Sequence, residues 1–166
     1  MKSLWLVPVA LLLDQASKWA VVERMYLGES IPVWGDFFRL TYIHNPGAAF
    51  GLNMGSPLLH TLASLVALGA LGWMFRTAPP DARLLRYALG MVLGGALGNI
   101  VDRVRLGVVV DFFDFGLGGL RWPVFNIADS FVSVGIVLLI FAYGREKPAD
   151  EAKAADAAPT EKRAEA

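Results

Sequence analysis

The chain has 166 residues, of which 55% are hydrophobic, and its mean hydropathy is +0.50. A soluble domain of this length does not need so apolar a composition, so we expect an integral membrane protein. Lysine plus arginine and aspartate plus glutamate number 15 each, a balance that gives no overall field to recruit nucleic acid or an acidic substrate. The absence of cysteine excludes disulfide bonds, thiolate catalysis, thiolate metal sites and lipid attachment to a cysteine of this chain.

Four segments are long and apolar enough to be membrane-spanning helices, which need about 20 residues. They are residues 4–22, 58–75, 84–101 and 127–143. The first segment could also be a cleaved secretory signal, because Lys2 precedes an apolar run. However, Asp14, Gln15 and Lys18 interrupt that run and apolar residues resume after them, so we interpret it as an uncleaved span. The predicted fold class is an all-α bundle of four transmembrane helices with a small extracytoplasmic β-sheet.

The orientation of the bundle does not follow from the positive-inside rule, because lysine and arginine are almost evenly divided between its two sides. We assign both termini to the cytoplasm, since the short first tail is basic and the hydrophilic last segment then needs no translocation. Residues 1–144 form the predicted membrane domain. Residues 145–166 mix alanine with both charge signs, and we expect a disordered cytoplasmic tail there.

The external β region is predicted over residues 30–54, between the first two spans. Residues 37–43 alternate and are rich in aromatic and β-branched side chains, which is typical of a strand. A sharp bend should follow at Asn45-Pro46-Gly47, because proline favours an extended conformation in the preceding residue. The second external segment, residues 105–124, is rich in glycine, and we expect an irregular, mobile loop.

The third span carries Gly90, Gly94 and Gly98 at four-residue spacing, so that one face of the helix lacks side chains. Another helix can approach this face closely. We favour a packing seam inside the monomer over a dimerisation face, because a four-helix protein must pack its helices together.

Polar residues in the spans are the stronger functional signal, because a charge in the hydrocarbon region costs about 2.5–3.5 kcal/mol and persists when it is paired or functional. Asp14 and Lys18 are four residues apart and can form an ion pair, either as a structural element or in contact with substrate. Asn99, Asp102 and Arg103 share one face of the third helix. For these three we favour an interhelical hydrogen-bond network over catalysis.

Asp111 and Asp129 form the candidate catalytic pair. Asp111 follows the third span among apolar residues, and Asp129 lies in the first turns of the fourth span, one turn after Asn126. If these spans are antiparallel neighbours, both carboxyl groups reach the same membrane boundary. Two carboxyl groups close together in a low dielectric share one proton, so one can activate water while the other polarises a carbonyl group. The pattern predicts an aspartic hydrolase.

Two other classes of function compete with this interpretation. Paired acids in a membrane also serve as proton relays or ion sites in transporters, but these four spans show no internal repeat and the acids gather at one edge. A lipid-binding or scaffolding protein would explain the glycines and aromatic residues, yet it would give the paired aspartates no role.

The chain closely resembles the lipoprotein signal peptidases, also called signal peptidase II, which are bacterial membrane aspartic peptidases. The resemblance runs from about Leu11 to Tyr143 and rests on five motifs in order. The motifs are Asp14-Gln15-Ala16-Ser17-Lys18, His44-Asn45-Pro46-Gly47-Ala48-Ala49-Phe50, Gly94 to Arg103, Val110-Asp111-Phe112, and Phe125-Asn126-Ile127-Ala128-Asp129-Ser130.

The resemblance implies an endopeptidase that removes the signal peptide from diacylglyceryl-modified prolipoproteins, cutting before the lipidated cysteine, with Asp111 and Asp129 as catalytic residues. It also implies a set of residues that bind substrate or support the site. These are Asp14, Lys18, Asn45, Gly47, Asn99, Asp102, Arg103, Asn126 and Ala128.

The same resemblance implies a location and a set of partners. The enzyme would lie in the bacterial cytoplasmic (inner) membrane as a monomer in contact with membrane lipids, with its active site at the extracytoplasmic face. The external strands would form a cradle on the membrane surface, and the second external loop would cover the substrate. Globomycin is the expected inhibitor, and no metal, cofactor or nucleic acid is expected.

Overall fold

The computed structural model describes residues 3–47 and 57–156, which form four helices and a four-stranded antiparallel sheet. The helices are α1 (Leu6–Arg24), α2 (Pro57–Thr77), α3 (Arg83–Leu106) and α4 (Ile127–Asp156). The strands are β1 (Ser30–Trp34), β2 (Phe38–Asn45), β3 (Val109–Leu117) and β4 (Leu120–Arg121). The predicted combination of a helical bundle with a small sheet is confirmed, and the sheet is antiparallel.

Three helices in the described part of the chain are long and apolar enough to cross a membrane. They are Leu58–Thr77, Arg83–Leu106 and Ile127–Gly144. The remaining helix, α1, is not among them, because its 19 residues include the charged Asp14, Lys18, Glu23 and Arg24. All four predicted segments are therefore helical, but length and composition support a membrane span for three of them.

α3 lies at the centre of the bundle and packs against the three other helices. Its glycines allow this close approach: a methyl group on Gly94 would lie 2.7 Å from the Cβ of Ala10 in α1. A methyl group on Gly95 would overlap the carbonyl oxygen of Ala128 in α4, and one on Gly98 would overlap the carboxylate of Asp14. The predicted glycine seam is confirmed as a packing surface within the monomer.

The sheet has the strand order β1-β2-β3-β4 and packs on the C-terminal part of α1. The contact is a buried cluster in which Val21 of α1 and Met25, the residue after its end, pack against Tyr42, Val110 and Phe112 of the sheet. Full burial of such a side chain contributes about 1.5–3 kcal/mol. The contact therefore fixes the sheet over one end of the bundle.

β3 is the main departure from the sequence analysis, which predicts an irregular loop over residues 105–124. The prediction is wrong for Val109–Leu117, where β-branched and aromatic side chains favour a strand. Gly107 ends α3 in the left-handed conformation (φ 73°), and Gly118 and Gly119 form the turn into β4 with φ of 58° and 88°. These glycines mark the ends of regular elements. The strand prediction for residues 37–43 is confirmed by β2, and residues 48–54 of the predicted β region lie outside the described residues.

The end of α4 also differs from the sequence analysis. Its apolar part ends at Gly144, near the predicted end of the fourth span, but the helical backbone continues to Asp156. Residues 145–156 were expected to lack regular structure. Alanine, glutamate and lysine favour the helical conformation, which accounts for the continuation. Residues 157–166 of the predicted tail lie outside the described residues.

Candidate active site

Lys18 occupies the centre of a buried ionic network between α1 and α3. Its Nζ lies 2.9 Å from Asp14 Oδ2 and 2.8 Å from Asp102 Oδ2, and it donates a hydrogen bond of 2.9 Å to Asn99 Oδ1. The three donors of the ammonium group are therefore all used. These four side chains are at most 8% exposed. The predicted Asp14–Lys18 ion pair and the predicted interhelical network of Asn99 and Asp102 are both confirmed.

The two acids of this network also hold the backbone that leads to the candidate catalytic residues. Asp14 Oδ1 accepts a hydrogen bond of 2.9 Å from the N–H of Ala128, in the first turn of α4. Asp102 Oδ2 accepts one of 3.1 Å from the N–H of Val110, the residue before Asp111. Asp14 and Asp102 are therefore positioned to anchor the chain around Asp129 and Asp111.

Asp111 lies on β3 and is 1% exposed. Its Oδ1 accepts a hydrogen bond of 2.7 Å from Asn126 Nδ2, and its Oδ2 accepts one of 2.9 Å from Asn45 Nδ2. Burial, together with the negative charge of Asp129, raises the pKa of Asp111 to about 7. The hydrogen bonds from Asn45 and Asn126 act in the opposite direction because they stabilise the carboxylate. A carboxyl group in this state can hold a proton near neutral pH.

Asp129 is placed by a reciprocal cap at the start of α4. Asn126 Oδ1 accepts a hydrogen bond of 2.9 Å from the N–H of Asp129, and Asp129 Oδ2 accepts one of 3.3 Å from the N–H of Asn126. This arrangement has the form of a capping box, in which the side chains at the cap and three residues later each bind the other's backbone. Asp129 Oδ1 accepts a further hydrogen bond of 2.7 Å from Asn99 Nδ2. Asp129 is only partly buried, so it lies in a wetter environment than Asp111.

Two asparagines connect the acids. The fully buried Asn126 donates from Nδ2 to Asp111 Oδ1 and, over 3.0 Å, to Asn99 Oδ1, while Asn99 donates to Asp129. Asp111 and Asp129 therefore belong to one hydrogen-bonded chain, and the charge of one acts on the other. The structure brings the predicted pair together in two unlike environments, which suits one acid and one base.

Arg103 is partly buried near the two acids, and the charges of Asp129, Asp111 and Asp102 all act on its guanidinium group. Its Nε is buried and has no hydrogen-bond partner among the described residues. The expected participation of Arg103 in the interhelical hydrogen-bond network is therefore not found at this atom.

Asn45 and Gly47 reach the site from the end of β2. The β2–β3 register places Asn45 opposite Val109 and Ile43 opposite Asp111, so the end of β2 lies beside Asp111. Asn45 Oδ1 accepts a hydrogen bond of 3.0 Å from the N–H of Gly47, which closes a short turn. The remaining motif residues after Gly47, Ala48 to Phe50, lie outside the described residues.

A third acid near the site, Asp114, was not singled out from the sequence. It lies on β3, where its Oδ1 accepts a hydrogen bond of 2.7 Å from Arg121 Nε and its Oδ2 one of 2.6 Å from Thr41 Oγ1. Burial alone would raise the pKa of Asp114, but these contacts outweigh it and lower the pKa. Asp114 is thus an ionised structural acid, in contrast to Asp111 on the same strand.

Two polar residues of the site region were missing from the predicted set. Gln15 Nε2 donates 2.9 Å to Asp102 Oδ1 and 3.2 Å to the carbonyl oxygen of Gly98, so it joins α1 to α3. It lies beside Asp14 in the sequence, and that proximity could have indicated it. The second is His60, buried in the first turns of α2. A single histidine at the start of an apolar helix is the only signal that the sequence offers.

Comparisons with known proteins show which sequences this chain is similar to. The family model described as signal peptidase (SPase) II matches residues 6–144. The lipoprotein signal peptidase of Desulforapulum autotrophicum is 45% identical over 139 residues, covering 80% of this chain and 85% of that protein. The lipoprotein signal peptidase of Pelotomaculum thermopropionicum is 49% identical over 138 residues, covering 82% and 88% respectively.

Solved structures are similar as well. One bacterial membrane enzyme structure matches with a TM-score of 0.78 and 33% identity, covering 88% of this chain and 89% of its own. Another matches with a TM-score of 0.75 and 34% identity, covering 86% and 92%.

Proposed function

The chain belongs to the signal peptidase II family, and from this membership we propose that it hydrolyses the signal peptide from prolipoproteins with Asp111 and Asp129 as its catalytic pair. The resemblance predicted from the five motifs is confirmed, and with it the assignment to the bacterial membrane proteases of lipoprotein processing. The observation that carries the catalytic assignment is the chain of hydrogen bonds that joins a buried carboxyl group to a partly exposed one.

In the proposed reaction, Asp111 is the acid and Asp129 is the base. Asp129 takes a proton from water, the water oxygen bonds to the scissile carbonyl carbon, and Asp111 gives its proton to the carbonyl oxygen. The C–N bond of the resulting diol then breaks, the leaving nitrogen takes the proton held by Asp129, and a hydroxyl proton returns to Asp111. The supporting observations are the pKa of Asp111, about 7, and the greater exposure of Asp129.

The supporting residues have separate roles in this proposal. Asn45 and Asn126 orient the carboxyl group of Asp111, and Asn99 orients that of Asp129. Arg103 supports the pair electrostatically, because its guanidinium charge acts on both acids. The remaining residues of the predicted supporting set hold the backbone around the catalytic pair in place. They are Asp14, Lys18, Gly47, Asp102 and Ala128.

We further propose that the substrate carries diacylglycerol on the cysteine that follows the cleaved bond. In this proposal all four helices span the bacterial inner membrane and both termini are cytoplasmic. The buried charges of α1 are neutralised inside the bundle. The two acids gather at the end of the bundle that the sheet covers, which supports an active site at one membrane face, the extracytoplasmic one. A lipidated substrate could enter there laterally from the bilayer.

The proposed function is tested with the purified full-length protein and a synthetic prolipoprotein peptide, prepared with and without the diacylglyceryl group. We expect the enzyme to cleave only the lipidated peptide, at the bond before the cysteine, as identified by mass spectrometry. Globomycin should inhibit this cleavage. The enzyme should sediment as a monomer in detergent. Equal cleavage of the two peptides would contradict the proposed substrate. No cleavage, together with proton flux in sealed vesicles, would instead favour a transporter.

A further inference from the structure

α2 contributes one buried polar side chain near the site, His60. Most other side chains in the first turns of this helix face outward from the protein. The neighbouring Leu58, Leu59 and Leu62 are 65%, 52% and 49% exposed, whereas His60 is 6% exposed. Burial of a polar ring on such a helix indicates a specific contact rather than a position in the apolar core.

The ring packs on Gly47, at the end of the turn that follows β2. A methyl group on Gly47 would lie 2.6 Å from Cγ of His60 and 2.9 Å from both Cδ2 and Nδ1. The imidazole ring therefore packs directly on the backbone of Gly47, at a distance that leaves no room for a side chain. Gly47 is itself buried and has a φ of 126°, a conformation that glycine adopts readily. The ring closes the space into which this turn could otherwise relax.

This turn also orients the side-chain amide of Asn45. The N–H of Gly47 donates to Asn45 Oδ1, which leaves the amide Nδ2 directed at Asp111 Oδ2. The Gly47 N–H thus helps to set the amide orientation of Asn45. A displacement of Gly47 would release Oδ1 and allow the amide to rotate away from Asp111.

We propose that His60 is a positioning residue of the peptidase site, which acts by packing its ring on Gly47 and thereby holding the Asn45 amide against Asp111. The inference rests on the proposed function, since it assigns His60 to the hydrolysis performed by the aspartate pair. His60 touches neither acid in this account. Its effect passes through one backbone turn and one amide group.

The test is a double-mutant cycle between positions 60 and 45, measured as kcat and KM on the lipidated peptide together with the unfolding temperature in detergent. His60→Ala removes the ring, His60→Phe keeps a ring against Gly47, and Asn45→Ala removes the amide. Leu59→Ala is the matched control, because Leu59 is the adjacent residue and its side chain is largely exposed.

His60→Ala is expected to lower kcat about 10-fold, as a weakened hydrogen bond to a charged group would, with KM changed by less than about 3-fold. In the Asn45→Ala background the same change should lower kcat by less than about 2-fold, because the amide it positions is absent. His60→Phe should recover kcat to within about 3-fold of the parent enzyme, and Leu59→Ala should match the parent.

Equal losses of kcat in the parent and Asn45→Ala backgrounds would overturn the inference. A loss that is explained by unfolding of His60→Ala, while His60→Phe is fully active and stable in both backgrounds, would also overturn it, because the histidine would then be merely structural. A folded His60→Phe as impaired as His60→Ala would also overturn it. If the parent enzyme cleaves and all His60 variants equal it, the positioning role alone is wrong. If the parent enzyme does not cleave, the proposed function fails and the inference with it.

Discussion

Removal of the Asn45 amide should move the alkaline limit of activity to higher pH. In the proposed reaction Asp111 must be protonated, so the rate falls about tenfold per pH unit above its pKa, which is about 7. Asn45 Nδ2 donates to Asp111 Oδ2 over 2.9 Å and so stabilises the ionised form. Asn45→Ala removes this stabilisation, and the pKa of Asp111 must rise.

The size of the shift follows from the kind of hydrogen bond. A hydrogen bond to a charged group contributes about 1.5–3 kcal/mol, and one pKa unit corresponds to about 1.4 kcal/mol, so the limit should move up by about one to two pH units. The rate at the optimum should fall at the same time, because Asp111 loses one of the two groups that orient it.

The assay is the pH profile of kcat/KM on the lipidated peptide, which reports the ionisation of the free enzyme. Thr41→Val is the matched control, since Thr41 lies on the same strand and donates to Asp114 instead of Asp111. Its alkaline limit should coincide with that of the parent enzyme. An alkaline limit of Asn45→Ala that stays in place, or that moves to lower pH, would refute the reasoning.

Three further predictions concern stability, each measured by thermal unfolding in detergent. Lys18→Met leaves Asp14 and Asp102 without their buried cation and should destabilise the protein by about 3–5 kcal/mol, so an unchanged unfolding temperature would contradict the network. Gly95→Val forces a side chain against the backbone of α4 and should cost about 1–3 kcal/mol or more, whereas a neutral effect would mean that the helices are not so close. As the pH rises from about 4 to about 7, the free energy of unfolding of the parent protein should fall by up to about 1.4 kcal/mol per pH unit, because folded Asp111 keeps a proton that the unfolded chain has released. Asp111→Asn should remove this pH dependence. An unaltered pH dependence would assign it to another group.

The sequence predicted the pairing of Asp111 and Asp129 because each lies within a few residues of a helix end, and antiparallel neighbours bring such ends together. The strand that contains Asp111 was missed, because the glycines at its ends were interpreted as signs of an irregular loop, although its interior is rich in valine and phenylalanine. The unlike environments of the two acids arise mainly from the burial of Asp111, which depends on how the sheet packs on the bundle.

The role of His60 was beyond sequence reading for a similar reason. Its partner Gly47 precedes a segment of chain that separates β2 from α2, and only the packed structure brings the ring onto the turn. By contrast, the Asp14–Lys18 pair and the glycine seam were predictable, because both arise from spacing along a single helix. The spacing of residues along the sequence therefore predicted a contact wherever a single helix determined it.

The most direct test of the catalytic pair is single-turnover cleavage of the lipidated peptide by Asp111→Asn and Asp129→Asn, each shown to be folded by its unfolding temperature. Asparagine keeps the shape of each side chain but can neither give up nor take a proton as the carboxyl group does. We expect both variants to lose cleavage by at least about 1000-fold, as the loss of an essential acid or base requires. Turnover by either folded variant close to that of the parent enzyme would contradict the account.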